Sequence, residues 1–362
     1  MAKARSSKLW WITVIAASLC SLSLGHSAFA GSIVGWGGNY GDWGRYRGQA
    51  EPPPGDDFIG LAAGGEHSLA LRADGSIQGW GSNYVTVVDI GDIYLGQATP
   101  PDGNDYVAIA AGAYHSLALK SDGTIVGWGS NRDRHQEYVL GQATPPAGND
   151  YVAIAAGSDV SCALKADGSI VTWGRNIGCP SGNDFVAIAA EASYCLALKQ
   201  DGSIRAWGYE ISSPAGDDFA AIAAGGDSIH ESPLGQHALA LKTDGSVFGW
   251  GADSSGQATP PSGNDYTAIA AGGEHSLALR RDGSVVGWGA NEFGQATPPA
   301  GHNFVAIAAG QYHSLAIVEC SYAIAGDLND DCQVDFDDFA LMCANWLIDC
   351  YIEPPDPACV PK

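Results

Sequence analysis

Three short apolar patterns recur along the chain in a fixed order, and each recurs seven times. An aromatic residue opens a run of small apolar residues at Phe58, Tyr106, Tyr151, Phe185, Phe219, Tyr266 and Phe304. A second run, whose clearest form is His-Ser-Leu-Ala-Leu-Lys, begins at His67, His115, Val160, Tyr194, His237, His275 and His313. A third run ends in a Trp-Gly pair at Trp36, Trp80, Trp128, Trp173, Trp207, Trp250 and Trp288. Runs this short, bounded by turn residues, predict β-strands.

The residues between the runs predict how the strands connect. An Asp-Gly pair, as at Asp122 and Gly123, separates the second run from the third and favours a tight hairpin with positive φ. A Gly-Gln-Ala-Thr-Pro-Pro segment such as Gly141–Pro146 follows the third run. We expect this segment to form a fourth, outer strand, because prolines are tolerated at a sheet edge. The repeat step of 34 to 48 residues fits one four-stranded blade of a β-propeller.

The two ends of the repeat region complement each other. The seventh unit ends with the second run at Ser314–Val318, and no third run follows it. The segment Gly31–Gly37 is a third run that no first or second run precedes. We therefore predict an all-β, seven-bladed propeller over residues 31–319, closed by its N-terminal strand so that no sheet edge stays open.

Residues 1–30 have the pattern of a secretory signal peptide. Basic residues Lys3, Arg5 and Lys8 precede an apolar run, and Ala28-Phe29-Ala30 forms a cleavage site. We expect cleavage after Ala30 and a protein that is secreted, periplasmic or held at the cell surface. An uncleaved membrane anchor is the alternative interpretation. No other stretch is long and apolar enough to cross a bilayer, so we expect no membrane span after cleavage.

Composition and charge exclude several classes of protein. Hydrophobic residues make up 46% of the chain and charged residues only 16%, which excludes an intrinsically disordered chain. The 17 basic residues are outnumbered by 40 acidic residues, giving a net charge of -23. Binding of phosphates requires clustered Lys and Arg, so we do not expect a nucleic acid partner. We expect a monomer.

The repeated unit resembles the regulator of chromosome condensation repeat. The residues that carry this resemblance are AIAAGxxHSLALKxDGxxxxWG, nearly complete at Ala108–Gly129 and Ala268–Gly289. The runs VxAIAAG and GQxTxP look closest to secreted bacterial members, including the seven-bladed beta-lactamase inhibitor protein. The resemblance implies a seven-bladed propeller that binds other proteins without chemistry of its own. The signal peptide and the acidic charge argue against the nuclear role of the eukaryotic founder.

Two sets of repeated polar residues need an interpretation. The histidines that open five of the second runs are expected to be structural hydrogen-bonding groups, with a metal or proton-transfer role as the alternative. Strand parity places the Asp-Gly turns and the turns before the first runs on one face, here called the lower face. Twelve aspartates lie there, namely Asp57, Asp74, Asp105, Asp122, Asp150, Asp167, Asp184, Asp201, Asp218, Asp244, Asp265 and Asp282. They are either turn-forming residues or a surface for a cation or partner.

The opposite, upper face departs from the repeat in three neighbouring units. The spacing from Trp to the following Gln is seven residues after Trp250 and Trp288, but 13, 17 and 14 residues after Trp36, Trp80 and Trp128. The enlarged loops contain Tyr40, Trp43, Arg45, Tyr46, Arg47, Tyr84, Tyr94, Arg132, Arg134, His135 and Tyr138. Tyr114, Tyr194 and Tyr312 are expected to point to the same face. Aromatic and Arg side chains are enriched at binding hot spots, so we predict a ligand-binding wall for a protein or glycan. Loop drift without a ligand is the alternative.

The composition changes after Val318, in a segment that predicts a calcium loop followed by a helix. Oxygen-bearing side chains stand at positions 1, 3, 5, 9 and 12 of the segment that begins at residue 327. We predict Ca²⁺ as the cofactor, with Asp327, Asn329, Asp331, Gln333 through its backbone carbonyl, Asp335 and Asp338 as ligands. An acidic surface turn that binds nothing is the alternative.

This segment resembles the dockerin calcium-binding repeat, on the residues GDLNDDCQVDFDDFALMCANWL from 326 to 347. Cys332 stands where that family has Gly, and only one loop and helix is present where dockerins usually have two. The resemblance implies a tether over residues 320–362 that attaches to a cohesin-like or cell-surface partner. Five of the nine cysteines lie in this segment and are expected to form disulfides, whose pairing the sequence does not determine.

The sequence therefore predicts a secreted, non-catalytic binding or scaffold protein, with a propeller that recognises a ligand and a tail that attaches it to an assembly or surface. No nucleophile elbow, zinc-protease helix or other catalytic signature is present in the sequence. Two alternatives remain. One is an extracellular lyase or glycoside hydrolase that carries a dockerin-like tail. The other is a structural envelope protein without a ligand.

Overall fold

The computed structural model describes residues 30–41, 44–87, 90–209, 211–226 and 235–319, and every structural statement below concerns these residues. Trp43, most of the predicted signal peptide and the predicted calcium loop and tail lie outside the described residues. Within the described part, no helix has the length and hydropathy needed to span a membrane.

The described residues form strands connected by turns and loops. The strands are β1 (Ser32–Gly37), β2 (Phe58–Ala63), β3 (His67–Arg72), β4 (Ile77–Gly81), β5 (Tyr84–Val87), β6 (Gly91–Tyr94), β7 (Tyr106–Ala111), β8 (His115–Lys120), β9 (Ile125–Gly129), β10 (Tyr151–Ala156), β11 (Val160–Lys165), β12 (Ile170–Gly174), β13 (Phe185–Glu191), β14 (Tyr194–Lys199), β15 (Ile204–Gly208), β16 (Phe219–Gly225), β17 (His237–Lys242), β18 (Val247–Gly251), β19 (Tyr266–Ala271), β20 (His275–Arg280), β21 (Val285–Gly289), β22 (Phe304–Ala309) and β23 (His313–Val318).

The strands assemble into three-stranded antiparallel sheets, one for each repeat unit. Units one to six are β2–β4, β7–β9, β10–β12, β13–β15, β16–β18 and β19–β21, and the seventh unit is β22, β23 and β1. Strand β1 pairs with β23 over the register Ser32↔Val318 to Gly37↔His313. The first strand of each unit packs against the first strand of the next unit, and β22 packs against β2.

Each first strand has a β-bulge immediately after its opening aromatic residue. In the second unit, for example, Tyr106 lies opposite Lys120 while Ala108 already lies opposite Leu119. The bulge changes the side-chain parity, so the Tyr106 ring packs against the first unit while Ala108 packs against the third, and both are buried. Full burial of such a ring contributes on the order of 2 kcal/mol, which makes this residue a major anchor of each unit.

The predicted fourth strand is wrong. The Gly-Gln-Ala-Thr segments form turns, in which the Thr99 and Thr144 amides donate to the carbonyls of Gly96 and Gly141 at 2.9 Å. The two prolines that follow lack N–H groups, so the segment cannot supply the donors of a sheet ladder. The units are therefore three-stranded, and the Gln carbonyls of these turns are free to accept side-chain hydrogen bonds.

Small residues allow the units to approach each other around the centre. The first strands contribute Ala side chains, and these line a central cavity of about 60 Å³ together with Glu191. Next to it, a Cβ atom added at Gly112 would lie 2.1 Å from the Gly157 carbonyl oxygen of the adjoining unit. Close contact between neighbouring main chains therefore requires Gly at this position.

Candidate functional site

The three enlarged loops on the upper face are hairpins built on one plan. Strands β5 and β6 pair Tyr84 with Tyr94, and isolated bridges pair Tyr40 with Tyr46 and Arg132 with Val139. An Asn three residues after each Trp fixes the base of the loop. The side-chain oxygens of Asn39, Asn83 and Asn131 accept from the amides of Ala50, Ala98 and Ala143 at 2.8 to 2.9 Å.

The first two hairpins each present a pair of exposed tyrosine rings. Tyr40 and Tyr46 lie edge to face, with ring centroids 5.7 Å apart, and Tyr84 and Tyr94 lie edge to face at 5.4 Å. The four side chains are 42% to 59% exposed. A hydrogen bond to Glu51 raises the pKa of Tyr46 above its ordinary value. The pairs hold each other in place, so they offer apolar area with little side-chain freedom left to lose.

Charged groups join these two hairpins. Arg47 reaches Glu66 at 3.2 Å and Asp92 at 3.7 Å, and donates to the Thr86 hydroxyl at 3.1 Å. Arg45 also pairs with Asp92. The Arg47 side chain is only 9% exposed, so this predicted contact residue links one hairpin to the next. The Thr86 hydroxyl and the two guanidinium groups together hold the pKa of Asp92 below its ordinary value.

The third hairpin is stabilised from within. The Arg132 guanidinium donates to the carbonyls of Gln136 at 3.0 Å and Glu137 at 3.4 Å. The Asp133 carboxylate accepts from the amide of Glu137 at 2.8 Å, which closes the loop. Tyr138 is 67% exposed at the end of this hairpin. His135 is also exposed, and Arg134 is half-buried.

The exposed aromatic surface extends beyond the three predicted loops. Phe293, in the short loop after Trp288, packs against Tyr312 with centroids 5.5 Å apart. Gly38, at the start of the first hairpin, lies against both residues. The sequence prediction missed Phe293 because loop length was its signal, and this loop is short. We call the surface formed by Tyr40, Tyr46, Tyr84, Tyr94, Tyr138 and Phe293 the aromatic arc.

Two of the three additional tyrosines are buried and add no exposed ring to this face. Tyr114 is buried with Val85 and Ala113 beneath the second hairpin, because the enlarged loop covers it. Tyr194 is completely buried, and its hydroxyl donates to the His237 carbonyl at 2.5 Å. Tyr312 contributes to the arc through its contact with Phe293.

The five repeated histidines are confirmed as structural hydrogen-bonding groups. Each Nε2 lies 2.8 to 3.0 Å from the Ser hydroxyl of the next unit, in the pairs His67–Ser116, His115–Ser161, His237–Ser276, His275–Ser314 and His313–Ser68. Each of these five hydroxyls donates to a Gln carbonyl in the turn between the units at 2.9 Å. Because the hydroxyl proton goes to that carbonyl, Nε2 carries a proton and donates. We call this arrangement the His–Ser latch.

Burial keeps the latch histidines neutral. It lowers the pKa of His67, His115, His275 and His313 to about 3 and that of His237 to about 4. The carbonyl that receives the Ser hydroxyl also accepts the indole N–H of the same unit, as Gln97 does from Trp128 at 2.8 Å. Repeated His, Ser, Gln and Trp residues therefore serve one inter-unit network.

Six of the twelve lower-face aspartates act within their own turns, as the turn interpretation predicted. Asp74, Asp122, Asp167, Asp201, Asp244 and Asp282 each accept from the amide and hydroxyl of the Ser or Thr two residues later. These bonds lower their pKa values. The other six form ion pairs, namely Asp57–Arg72, Asp105–Lys120, Asp150–Lys165, Asp184–Lys199, Asp218–Lys242 and Asp265–Arg280.

The paired cations of the lower face also lie over the aromatic residues that open the first strands. Lys120, for example, lies 5.4 Å from the Tyr106 ring centroid. The acidic groups of this face are therefore partly neutralised by the fold itself. In the described part of the chain, no group of three or more His, Cys, Asp or Glu residues is arranged to hold a metal ion.

Comparison with known proteins identifies the repeat. Five segments match the Regulator of chromosome condensation (RCC1) repeat, at residues 58–85, 106–135, 151–177, 235–257 and 266–295. The chain therefore contains RCC1 repeats, as their residues predicted. No curated protein matches the chain.

Solved structures with low sequence identity share the fold. Prp20p from Saccharomyces cerevisiae is 19% identical with a TM-score of 0.61, over 88% of this chain and 95% of that chain. The ectodomain of the Physcomitrella patens receptor kinase CR4 is 22% identical with a TM-score of 0.57, over 73% of this chain and 70% of that chain. Human WBSCR16 is 16% identical with a TM-score of 0.57, over 81% of this chain and 100% of that chain. The protein is thus an all-β, propeller-like assembly of three-stranded blades.

Proposed function

We propose that this protein is a non-catalytic binding protein and that the aromatic arc recognises a protein partner. The observation that carries the proposal is the presence of two exposed, mutually packed tyrosine pairs on hairpins joined by Arg47. Tyrosine combines large contact area with few rotatable bonds, and it is enriched at hot spots. Prp20p is described as binding Gsp1p and histones, which supports protein binding as a use of this fold.

Three arginines near the arc already have partners within the protein. We therefore expect a ligand to contact the tyrosine rings and hydroxyls of the arc instead of these arginine side chains. Arg45 and Arg47 are already paired with carboxylates, and Arg132 is engaged with backbone carbonyls. Breaking those contacts on binding would cost energy that a new partner must replace. We therefore expect a partner surface with apolar pockets and hydrogen-bonding groups at its rim, and weak dependence of affinity on salt. A glycan that stacks on the rings is the second ligand class, which the experiment below distinguishes.

We also propose that the seven sheets form a closed seven-bladed ring. The pairing of β1 with β23 and the packing of β22 against β2 support this arrangement. A closed ring leaves the hairpins little freedom to move relative to each other, which lowers the entropic cost of binding at the arc.

Export and tethering complete the proposal. The residue pattern of 1–30 supports secretion with cleavage after Ala30, and the acidic segment from Asp327 to Asp338 supports a Ca²⁺-binding, dockerin-like tether. Calorimetric titration of the exported chain with CaCl₂ tests the tether. Saturable binding that Asp327→Ala and Asp338→Ala weaken supports it, and unchanged heats contradict it.

The alternative of a polysaccharide-acting enzyme remains a separate proposal. It rests on the dockerin resemblance, because such tails often accompany enzymes. Incubation of the chain with purified polysaccharides and measurement of new reducing ends or unsaturated products tests it directly.

The main experiment uses the full chain as bait with extracellular proteins and, separately, with polysaccharides. The test variant changes Tyr40, Tyr46, Tyr84 and Tyr94 to Ala, and the matched control changes the 54% exposed Tyr209 to Ala. We expect one protein to be retained by the wild type and the control and lost by the test variant at an unchanged melting temperature. Equal retention by both variants would overturn the assignment of binding to the arc. Retention of a polysaccharide alone would replace the protein partner with a glycan.

A further inference from the structure

Two of the seven junctions between units lack the His–Ser latch. At the junction of the fourth and fifth units, Tyr194 replaces His, and its hydroxyl reaches the main chain of Gly225 and His237 above the small Ala238. At the junction of the third and fourth units, Val160 stands at the His position and Cys195 at the Ser position. Neither residue can reproduce the latch, so this junction is held by different chemistry.

Strand parity brings two thiols face to face at the junction of units three and four. Cys162 lies two residues after Val160 on β11, so its side chain points toward the fourth unit as Val160 does. Cys195 occupies the Ser position of β14, whose side chain points back toward the third unit. Both are completely buried in one cluster, and the neighbouring Cys162 thiol helps to raise the pKa of Cys195.

A third thiol lies at the surface of the same junction. Cys179 follows β12 in the loop that leads to the fourth unit, and its Sγ atom donates to the Ile170 carbonyl at 3.1 Å. This residue is exposed, and it interacts electrostatically with both buried thiols. The loop has no Gln carbonyl of the latch type, and the indole Nε1 of Trp207 is buried without a hydrogen-bond partner in the described part of the chain.

We propose that Cys162, Cys179 and Cys195 form a site of oxidative modification, at which a Cys162–Cys195 disulfide fastens the third unit to the fourth and Cys179 admits the oxidant. The oxidant belongs to the class of small-molecule disulfides. The buried pair has no access to solvent, whereas Cys179 does, so the reaction begins at Cys179.

The reaction is a series of thiol–disulfide exchanges. The Cys179 thiolate attacks the oxidant, forms a mixed disulfide and releases one small thiol. The Cys195 thiolate attacks the Cys179 sulfur and releases the second small thiol. The Cys162 thiolate then attacks the Cys195 sulfur, which forms the Cys162–Cys195 bond and returns Cys179 to its thiol form. Two protein thiols are oxidised, and one disulfide is reduced to two thiols.

The surroundings of the thiols set the expected rate. Burial raises the pKa of Cys195 well above its ordinary value and raises that of Cys179 as well. Only a small fraction of each thiol is ionised at neutral pH, so the reaction is expected to be slow there and to accelerate with rising pH.

The experiment incubates the fully reduced full chain with oxidised glutathione and follows each cysteine by differential alkylation and peptide mass mapping. This readout separates the three thiols from the cysteines of the tail. We expect a Cys162–Cys195 linked peptide that is lighter by two hydrogen atoms than the reduced pair, and Cys179 as a free thiol at the end. In the Cys179→Ser variant, the linked peptide should form at least roughly tenfold more slowly, because only transient opening exposes the pair.

Two control variants use residues that the repeat itself accepts. Cys195→Ser restores the residue of five other units, and Cys162→Leu restores the Leu found at this position of the other units. Both are expected to fold and to lose the Cys162–Cys195 peptide. Cys195→Ser should accumulate glutathione on Cys179, whereas Cys162→Leu should stop at a Cys179–Cys195 disulfide. Persistent free thiols at Cys162 and Cys195 in the wild type, or a final link that includes Cys179, would overturn the proposed pairing. An unchanged rate in Cys179→Ser would overturn the entry role.

Discussion

The lower turns and the upper loops belong to the same strands, but they follow different rules. On the lower face, each of six units repeats an aspartate-capped turn, and six aspartates pair with the cation that lies over an aromatic ring. On the upper face, three neighbouring loops form hairpins whose stabilising contacts differ from one loop to the next. The lower contacts are the same in six of the seven units and stabilise the turns of each. The upper contacts stabilise hairpins that only three units have. Repeated contacts are expected of a scaffold, and contacts specific to a few units are expected of a binding site.

The latch histidines, beneath the upper loops, should give the largest effect because they make the scaffold sensitive to acid. Four of them have a pKa lowered to about 3 in the folded protein, compared with 6.5 ordinarily. The unfolded chain binds these protons more readily. Stability is thus fully present above about pH 6.5 and is lost as the pH falls toward 3, by up to ~1.4 kcal/mol per pH unit for each histidine. Denaturant unfolding at pH 7, 6 and 5 measures this slope.

A control isolates the contribution of one latch. In His275→Gln, the free energy of unfolding should fall less steeply between pH 6 and pH 5 than in the wild type. The difference should correspond to about one proton fewer bound on unfolding. Stability that does not change between pH 7 and pH 5 would contradict the neutral, donating histidines described above.

The link between the first two hairpins should give the next largest effect. Arg47→Ala leaves the buried Glu66 carboxylate without its cation, and we expect a loss of about 3 kcal/mol. Arg45→Ala is the matched control, because the side chain of Arg45 is 48% exposed and its removal should cost less than about 1 kcal/mol. Equal effects of the two variants, measured by denaturant unfolding, would show that Arg47 does not join the hairpins.

The tyrosine pairs should affect binding but not folding. Tyr84→Ala removes one ring of the second pair and should weaken partner binding by about 2 kcal/mol, roughly thirtyfold, while stability changes by less than about 0.5 kcal/mol. Titration calorimetry with the identified partner, beside Tyr209→Ala, measures the difference. Loss of stability together with binding would make the ring a structural element of the hairpin.

The lower turns should show the smallest effect. Asp122→Ala removes the acceptor for the amide and hydroxyl of Thr124 and should cost about 1 kcal/mol. Asp122→Asn keeps an oxygen acceptor and should recover most of that loss. Partner binding should be unchanged in both variants, and a loss of binding in either would assign a functional role to the lower face.

The fold was predictable because the strands carry repeated, local signals. The aromatic openings, the Asp-Gly turns and the Trp-Gly endings all mark strands that the structure contains. The prediction of a fourth strand was wrong, because the Gln carbonyl of the proline-ending segment accepts from Ser and Trp side chains and the segment turns instead of extending.

The site was predictable only in outline. Loop length identified the hairpins that contain Tyr40 and Tyr84, but partners distant in sequence decide what each charged residue does. Arg47 is a link because Glu66 and Asp92 lie beside it, a contact that no local pattern reveals. Phe293 joins the arc from a loop of ordinary length, through its packing against Tyr312. One local signal for these loops is present in the sequence. An Asn recurs three residues after Trp, at Asn39, Asn83, Asn131 and Asn291, and its side-chain oxygen accepts a hydrogen bond from the amide that closes the loop.

Site-specific crosslinking tests recognition by the aromatic arc, with a photoreactive phenylalanine analogue at Tyr94 in one sample and at Tyr209 in another. Both side chains are exposed to a similar degree, at 59% and 54%, but only Tyr94 belongs to the aromatic arc. After irradiation with extracellular proteins, we expect one dominant crosslinked protein from position 94 and none from position 209. The same crosslinks from both positions, or a partner captured only from position 209, would contradict recognition by the arc.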